Sequence, residues 1–257
     1  METCNEYRKA NYQSDKLEFA GVIMLKLLCI GDSLTYGNVG YSYISFLSEN
    51  LQIVNKGLNG DTLYGVSNRL KKMLNNRRDD FDLVVLGIGT NDILLPYLKK
   101  ADFYWKLQMS FRYKIKKYTE DDLEFSSKFE TLIKMVYTSG KKAIIFGIPY
   151  INLIEFPNDK TIRRNQIIKL ICEKYGFDFI DIYKLQTETL PREMKVYSWK
   201  WSFLTRILDA IAMTLFLKSK DRIATKRGLV QTVDGVHFSS NTAKLLAKEI
   251  NGRLLET

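Results

Sequence analysis

Ser33 sits in the stretch Gly31-Asp32-Ser33-Leu34-Thr35-Tyr36-Gly37, between an apolar run and a helix-like segment. A serine at a strand-to-helix turn can expose its hydroxyl, and the helix N-terminus beside it offers N–H groups to an oxyanion. The same position equally suits a serine that merely caps the helix. A base for such a serine is easily searched for, because His237 is the one histidine in the chain. General-base chemistry on serine near neutral pH ordinarily needs an imidazole. If Ser33 is a nucleophile, His237 is its base. Asp234 precedes it by three residues in Val233-Asp234-Gly235-Val236-His237, and a nearby carboxylate can hold the ring's tautomer and stabilise its cation. Two further segments could assist a developing negative charge. The Asn91 amide in Gly89-Thr90-Asn91-Asp92 is a candidate donor, and so is the N–H of Gly60 in Asn59-Gly60-Asp61-Thr62. Both segments also read as simple turns, with Asp61 capping the helix that follows.

These residues need a scaffold, and the apolar pattern supplies one. Short β-branched runs at 24–30, 51–55, 83–87, 143–148 and 177–182 suit buried parallel strands. Helices are expected over 41–50, 62–75, 121–139 and 160–175, and a last one over 244–254 follows the cap signal Ser239-Ser240-Asn241. Gly140 and Gly176 stand where helix C-terminal glycines belong. This alternation implies a doubly wound parallel sheet with helices on both faces and a site beyond the carboxyl ends of the strands. Residues 1–20 read as an N-terminal extension. Residues 21–257 read as a single domain with insertions at about 97–118 and 190–230. Along it the candidate residues fall in order: serine after the first strand, glycine after the second, asparagine after the third, Asp-x-x-His before the last helix.

Four blocks in that order closely resemble the SGNH hydrolases, the GDSL esterase and lipase family. The blocks are Gly31-Asp32-Ser33-Leu34, Gly60 within Asn59-Gly60-Asp61, Gly89-Thr90-Asn91-Asp92 and Asp234-Gly235-Val236-His237, and the resemblance spans about residues 25–254. It implies a three-layer α/β/α sandwich around a flavodoxin-like, doubly wound, five-stranded parallel sheet. It implies a catalytic triad of Ser33, His237 and Asp234, and an oxyanion hole made by the N–H groups of Ser33 and Gly60 and the Asn91 amide. It implies serine ester hydrolysis through an acyl-enzyme, with neither metal nor organic cofactor. Phe238 departs from the proline that follows the histidine in many members, and the segment before Asp234 is longer than the family minimum.

Composition narrows the substrate less. The chain has 257 residues, a formal charge of +10, three scattered cysteines and no CxxC pair, so a Cys/His zinc site has little to work with. The basicity lies in two patches. Residues 97–118 carry seven cations against Asp102, and 192–227 carry nine against three acidic residues. Such patches favour anionic partners, although no nucleic-acid recognition motif accompanies them. Within the second patch Phe203, Leu204, Ile207, Leu208, Ile211 and Leu215 recur at helical spacing. With the aromatic-basic segment 103–114, this suggests a lid or a lipid-facing rim, against the simpler reading of an extra packed helix. The expected substrate is a lipid or lysophospholipid ester, with peripheral contact to an anionic membrane surface through 192–227. The alternatives are O-deacetylation of a carbohydrate or small molecule, and a non-catalytic ligand- or membrane-binding protein on a hydrolase scaffold. The stretch before Ser33 reads as part of the fold rather than a cleaved signal, which points to the cytoplasm.

Overall fold

The computed structural model describes residues 24–76, 80–115, 117–190, 195–215 and 220–256, side chains at 112–115 excepted. The expected extension at 1–20 lies outside the described residues, as do 191–194 and 216–219 of the second basic patch.

Five parallel strands form one sheet: β1 (Lys26–Gly31), β2 (Gln52–Gly57), β3 (Leu83–Gly87), β4 (Lys142–Phe146) and β5 (Asp178–Ile180). Their order is β2-β1-β3-β4-β5, the flavodoxin-like arrangement, in which the chain changes direction across the sheet between β1 and β3. Alternation along β1 shows how both faces are used. Leu28 and Ile30 join a core with α2 (Leu63–Asn75), α3 (Thr90–Ala101), α5 (Asp122–Thr138) and α6 (Asn158–Tyr175). Leu27 and Cys29 join a second core on the opposite face with α7 (Ile182–Glu188) and α10 (Ser240–Leu255). The result is the expected α/β/α sandwich. The edge strand β2 differs from the buried strand its composition suggests: most of its residues are exposed among the described ones.

The carboxyl edge is built for close approach. Gly31 pairs in register with Gly57 on one side and Gly87 on the other. A Cβ at Gly57 would lie 2.2 Å from Tyr36 N, and one at Gly87 would lie 1.8 Å from the Phe146 ring. Without side chains there, the short helix α1 (Ser33–Tyr36) folds back directly over the edge of the sheet.

Three expectations change. The helix expected over 41–50 is only a 3-10 turn at Tyr43–Phe46. Tyr41 donates its N–H to Phe238 O at 2.9 Å, and Ser42 caps Ile44 N, so tertiary contacts set this segment. The first basic segment forms an unanticipated helix, α4 (Phe103–Ile115). The second contains α8 (Phe203–Leu215) and α9 (Lys220–Lys226), but the apolar stripe of α8 does not face one way. Phe203 and Ile207 line the cavity at Ser33, Ile207 with part of its side chain still in solvent, while Leu204, Leu208, Ile211 and Leu215 are exposed. No helix among the described residues is long and apolar enough to cross a membrane.

Candidate active site

Ser33 opens α1 immediately beyond β1. Asp32 caps that helix by accepting from Leu34 N at 2.9 Å, so the cap role falls to Asp32 and leaves the Ser33 hydroxyl free of it. His237 reaches the same place from the loop before α10. Its Nε2 lies 3.1 Å from Ser33 Oγ, and its Nδ1 lies 2.7 Å from Asp234 Oδ2. Asp234 is fully buried, and its Oδ1 accepts from the N–H groups of Val236 (3.0 Å) and His237 (2.8 Å). The short Asp-x-x-His spacing therefore makes a turn that binds its own carboxylate and aims it at the ring.

Asn91 stands in the first turn of α3, just beyond β3. Its Nδ2 donates to Asp61 O at 2.9 Å and to Asp32 Oδ2 at a longer 3.2 Å. Gly60 adopts φ +63°, a left-handed conformation that glycine takes without strain. Ser33, Gly60, Asn91 and His237 line one cavity of about 220 Å³. Asp92, next to Asn91, does structural work: its carboxylate accepts from Leu63 N, Thr119 N and Thr119 Oγ1, tying α2 and the 117–121 segment to α3.

Much of the rest of the cavity comes from α3 and the two basic segments. Leu94, Leu95 and Leu98 of α3, Trp105 of α4, and Phe203 and Ile207 of α8 make it largely apolar. Trp199 forms its inner wall. Its Nε1 donates to Asp234 O at 2.7 Å, and its ring lies nearly parallel to His237 with centroids 6.5 Å apart. Trp105 in turn donates to Trp199 O at 2.8 Å and stacks on that ring.

Sequence reasoning missed Arg206. It projects from α8, is almost fully buried, and donates through Nη2 to Asp234 Oδ2, the oxygen that also faces His237. A cation at helical spacing between Phe203 and Ala210, on the face that turns inward, was the available signal, because a buried guanidinium requires a carboxylate partner.

Two carboxyls of the site are pushed in opposite directions. Burial alone would raise Asp234, but the charges of Arg206 and His237 hold it well below the usual carboxylate range. At Asp32 burial prevails and pushes it up to about 7, with the Leu34 N–H and the nearby His237 pulling the other way. Between the ordinary value of 3.8 and about 7 the folded protein thus binds more protons at Asp32 than the unfolded chain does, so stability falls as pH rises through that window. Above about pH 5 Asp234 is ionised in both states and adds no slope, while Asp92, also raised by its burial, adds slope of the same sign as Asp32. Thermal unfolding followed from pH 4.5 to 7.5 is expected to show this decline, on the order of 4 kcal/mol at its full extent. Asp32→Asn, which keeps an acceptor for Leu34 N, is expected to reduce it, leaving the part due to Asp92.

A family model described as GDSL-like lipase/acylhydrolase matches residues 27–250. The chain belongs to this family. It is therefore a carboxylic ester hydrolase of the GDSL/SGNH type, built on the fold that the resemblance implied. No curated protein matches it in sequence. Solved GDSL-type folds do match. An acetyl xylan esterase aligns with TM-score 0.57 and 16% identity, over 90% of this chain and 100% of its own. An acetylxylan esterase from Geobacillus stearothermophilus aligns with TM-score 0.54 and 18% identity, over 88% and 92%. An aryl esterase from M. smegmatis gives TM-score 0.54 and 14% identity, over 90% and 99%. At these identities the likeness is one of fold.

Proposed function

We propose that this GDSL family member hydrolyses esters of apolar acyl chains through a Ser33-His237-Asp234 triad. The reading is carried by one observation: the cavity at Ser33 is walled mainly by leucine, isoleucine and aromatic side chains from α3, α4 and α8. His237 Nε2 takes the Ser33 proton as Oγ bonds to the ester carbonyl carbon. The resulting oxyanion is held by the N–H groups of Ser33 and Gly60 and by Asn91 Nδ2. The intermediate collapses, the bond to the leaving alcohol breaks, and the imidazolium protonates that alcohol. Water then repeats the sequence on the acyl-enzyme, releasing the acid and returning the proton to Ser33. Asp234 keeps the imidazole oriented throughout.

The test is a series of p-nitrophenyl esters of rising chain length. Each methylene buried is worth about 0.8 kcal/mol, so kcat/KM is expected to rise about fourfold per methylene until the cavity is full. A strict acetyl preference contradicts the apolar-acyl reading and favours the second one, O-deacetylation of a carbohydrate or small molecule. That reading draws on the acetyl xylan esterases among the similar folds.

The natural ester, on this reading, is a lipid or lysophospholipid met at an anionic membrane surface. Phe103, Leu107 and Phe111 of α4 and Leu204, Leu208 and Leu215 of α8 are exposed. These two helices also wall the cavity, and they lie in the two strongly basic segments. Apolar side chains flanked by cations suit insertion into an anionic interface. The protein is expected to sediment with phosphatidylglycerol vesicles at low salt and far less with phosphatidylcholine vesicles, and Leu204→Glu/Leu208→Glu is expected to abolish the difference. Equal recovery with both vesicle types removes the membrane part of the proposal.

A further inference from the structure

We propose that Arg206 is a positioning residue of the hydrolytic centre. Carried on the helix that walls the acyl cavity, it fixes the Asp234 carboxylate and moderates that carboxylate's pull on His237. The triad and the pocket wall thereby become one electrostatic unit.

The argument starts from the arrangement of charges. Asp234 Oδ2 faces two donors, His237 Nδ1 and Arg206 Nη2. Arg206 Nη1 also donates to Asp209 Oδ2 at 3.1 Å, and Arg227 Nη2 donates to the same oxygen at 2.6 Å. The chain therefore alternates in sign, from buried Asp234 and Arg206 out to the half-buried Asp209 and Arg227. The Arg206 guanidinium also lies over the Trp199 ring, 4.4 Å from its centroid. A guanidinium so bonded and stacked has one available geometry. Trp199 is thus held between the residue that binds Asp234 and the ring that Asp234 orients.

This has a consequence for the base. A triad carboxylate facing only its histidine stabilises the imidazolium fully and makes it a weak acid. A fixed cation on the same oxygen offsets part of that charge and so weakens the carboxylate's hold on the imidazolium proton. Among the described residues the other charged groups around His237 are few. Asp32 lies beneath Ser33, with Asp61 and Asp92 beyond it. Asp61 is itself paired to Arg69. From α9, Lys220 Nζ is spent on the carbonyls of Gly37 and Gly40. Arg206 is the cation in direct contact with the triad carboxylate.

The experiment uses the chain's single histidine, whose imidazole carbon-bound protons can be followed by NMR without overlap from any other. It rests on the triad reading, yet it reports the imidazole whether or not any ester is turned over, so the two can fail separately. Arg206→Met is expected to raise the His237 titration midpoint by about one pH unit. On the acid side of the profile kcat/KM is then expected to fall about tenfold relative to the parent, converging with it at high pH. Arg206→Lys retains a charge and is expected to shift the midpoint far less. Asp209→Asn, which leaves Arg206 to Asp234 alone, is expected to move it downward. If Arg206→Met does not fold, the sign of the Asp209→Asn shift decides. An unchanged midpoint in folded Arg206→Met, equal shifts for Met and Lys, or an unchanged or upward midpoint in Asp209→Asn overturns the proposal and leaves Arg206 a structural ion pair.

Discussion

Ser33→Ala is expected to lower ester turnover about 10⁶-fold while leaving the fold intact, and His237→Ala is expected to do nearly the same. In the proposed mechanism the two side chains act through one hydrogen bond, Nε2 to Oγ at 3.1 Å. Without the imidazole the hydroxyl stays protonated and unreactive; without the hydroxyl the imidazole has nothing to activate. The double variant is therefore expected to be no slower than either single variant, where independent contributions would multiply. Neither change opens a large cavity, since Ser33 loses one atom at the pocket floor and His237 borders the same space. Steady-state kinetics on a p-nitrophenyl ester with thermal unfolding as control checks all three. A double variant slower by the product of the two losses contradicts a shared step.

Asn91→Ala carries the next largest expectation, a loss of about 10²–10³ in kcat with KM little changed. In its proposed role the amide acts on charge that exists only in the tetrahedral intermediate, so ground-state binding is not expected to register its loss. Its shorter hydrogen bond goes to Asp61 O and the longer to Asp32. The oxyanion competes with the weaker of these contacts. Removing the amide also leaves Asp61 O without that donor, at a cost of about 1 kcal/mol in stability. A tenfold rise in KM at constant kcat contradicts the oxyanion assignment and makes Asn91 a substrate-binding or structural residue.

How much of this was legible in the sequence depended on whether a feature was local. The strands β1, β3 and β4 announce themselves as short apolar runs because both faces of the sheet are covered around them. The Asp234 turn is local too, since its carboxylate accepts from amides two and three residues on. Non-local features stayed hidden. Segment 41–50 carries helix-like spacing, yet the hydrogen bond from Tyr41 N to Phe238 O settles its backbone. The α4 helix has a local start signal in Asp102, which accepts from Trp105 N, but it directly follows α3, and its aromatic residues serve partners distant in sequence, as the Trp105 bond to Trp199 O illustrates. The α8 pattern predicts amphipathicity correctly but not the division of its apolar residues between cavity and surface. Arg206 was legible only as an anomaly, a charge on a face that would prove buried. Its partner lies 28 residues away, on the loop before α10.

The most direct measurement of the central claim is covalent. A fluorophosphonate probe, which traps an activated serine by forming a phosphorus–oxygen bond, is allowed to react and the labelled peptide is mapped by mass spectrometry. The account predicts stoichiometric label on Ser33, lost in His237→Ala and in Ser33→Ala. Folded protein that takes no label, or takes it on another serine, contradicts the assignment of Ser33 as the nucleophile.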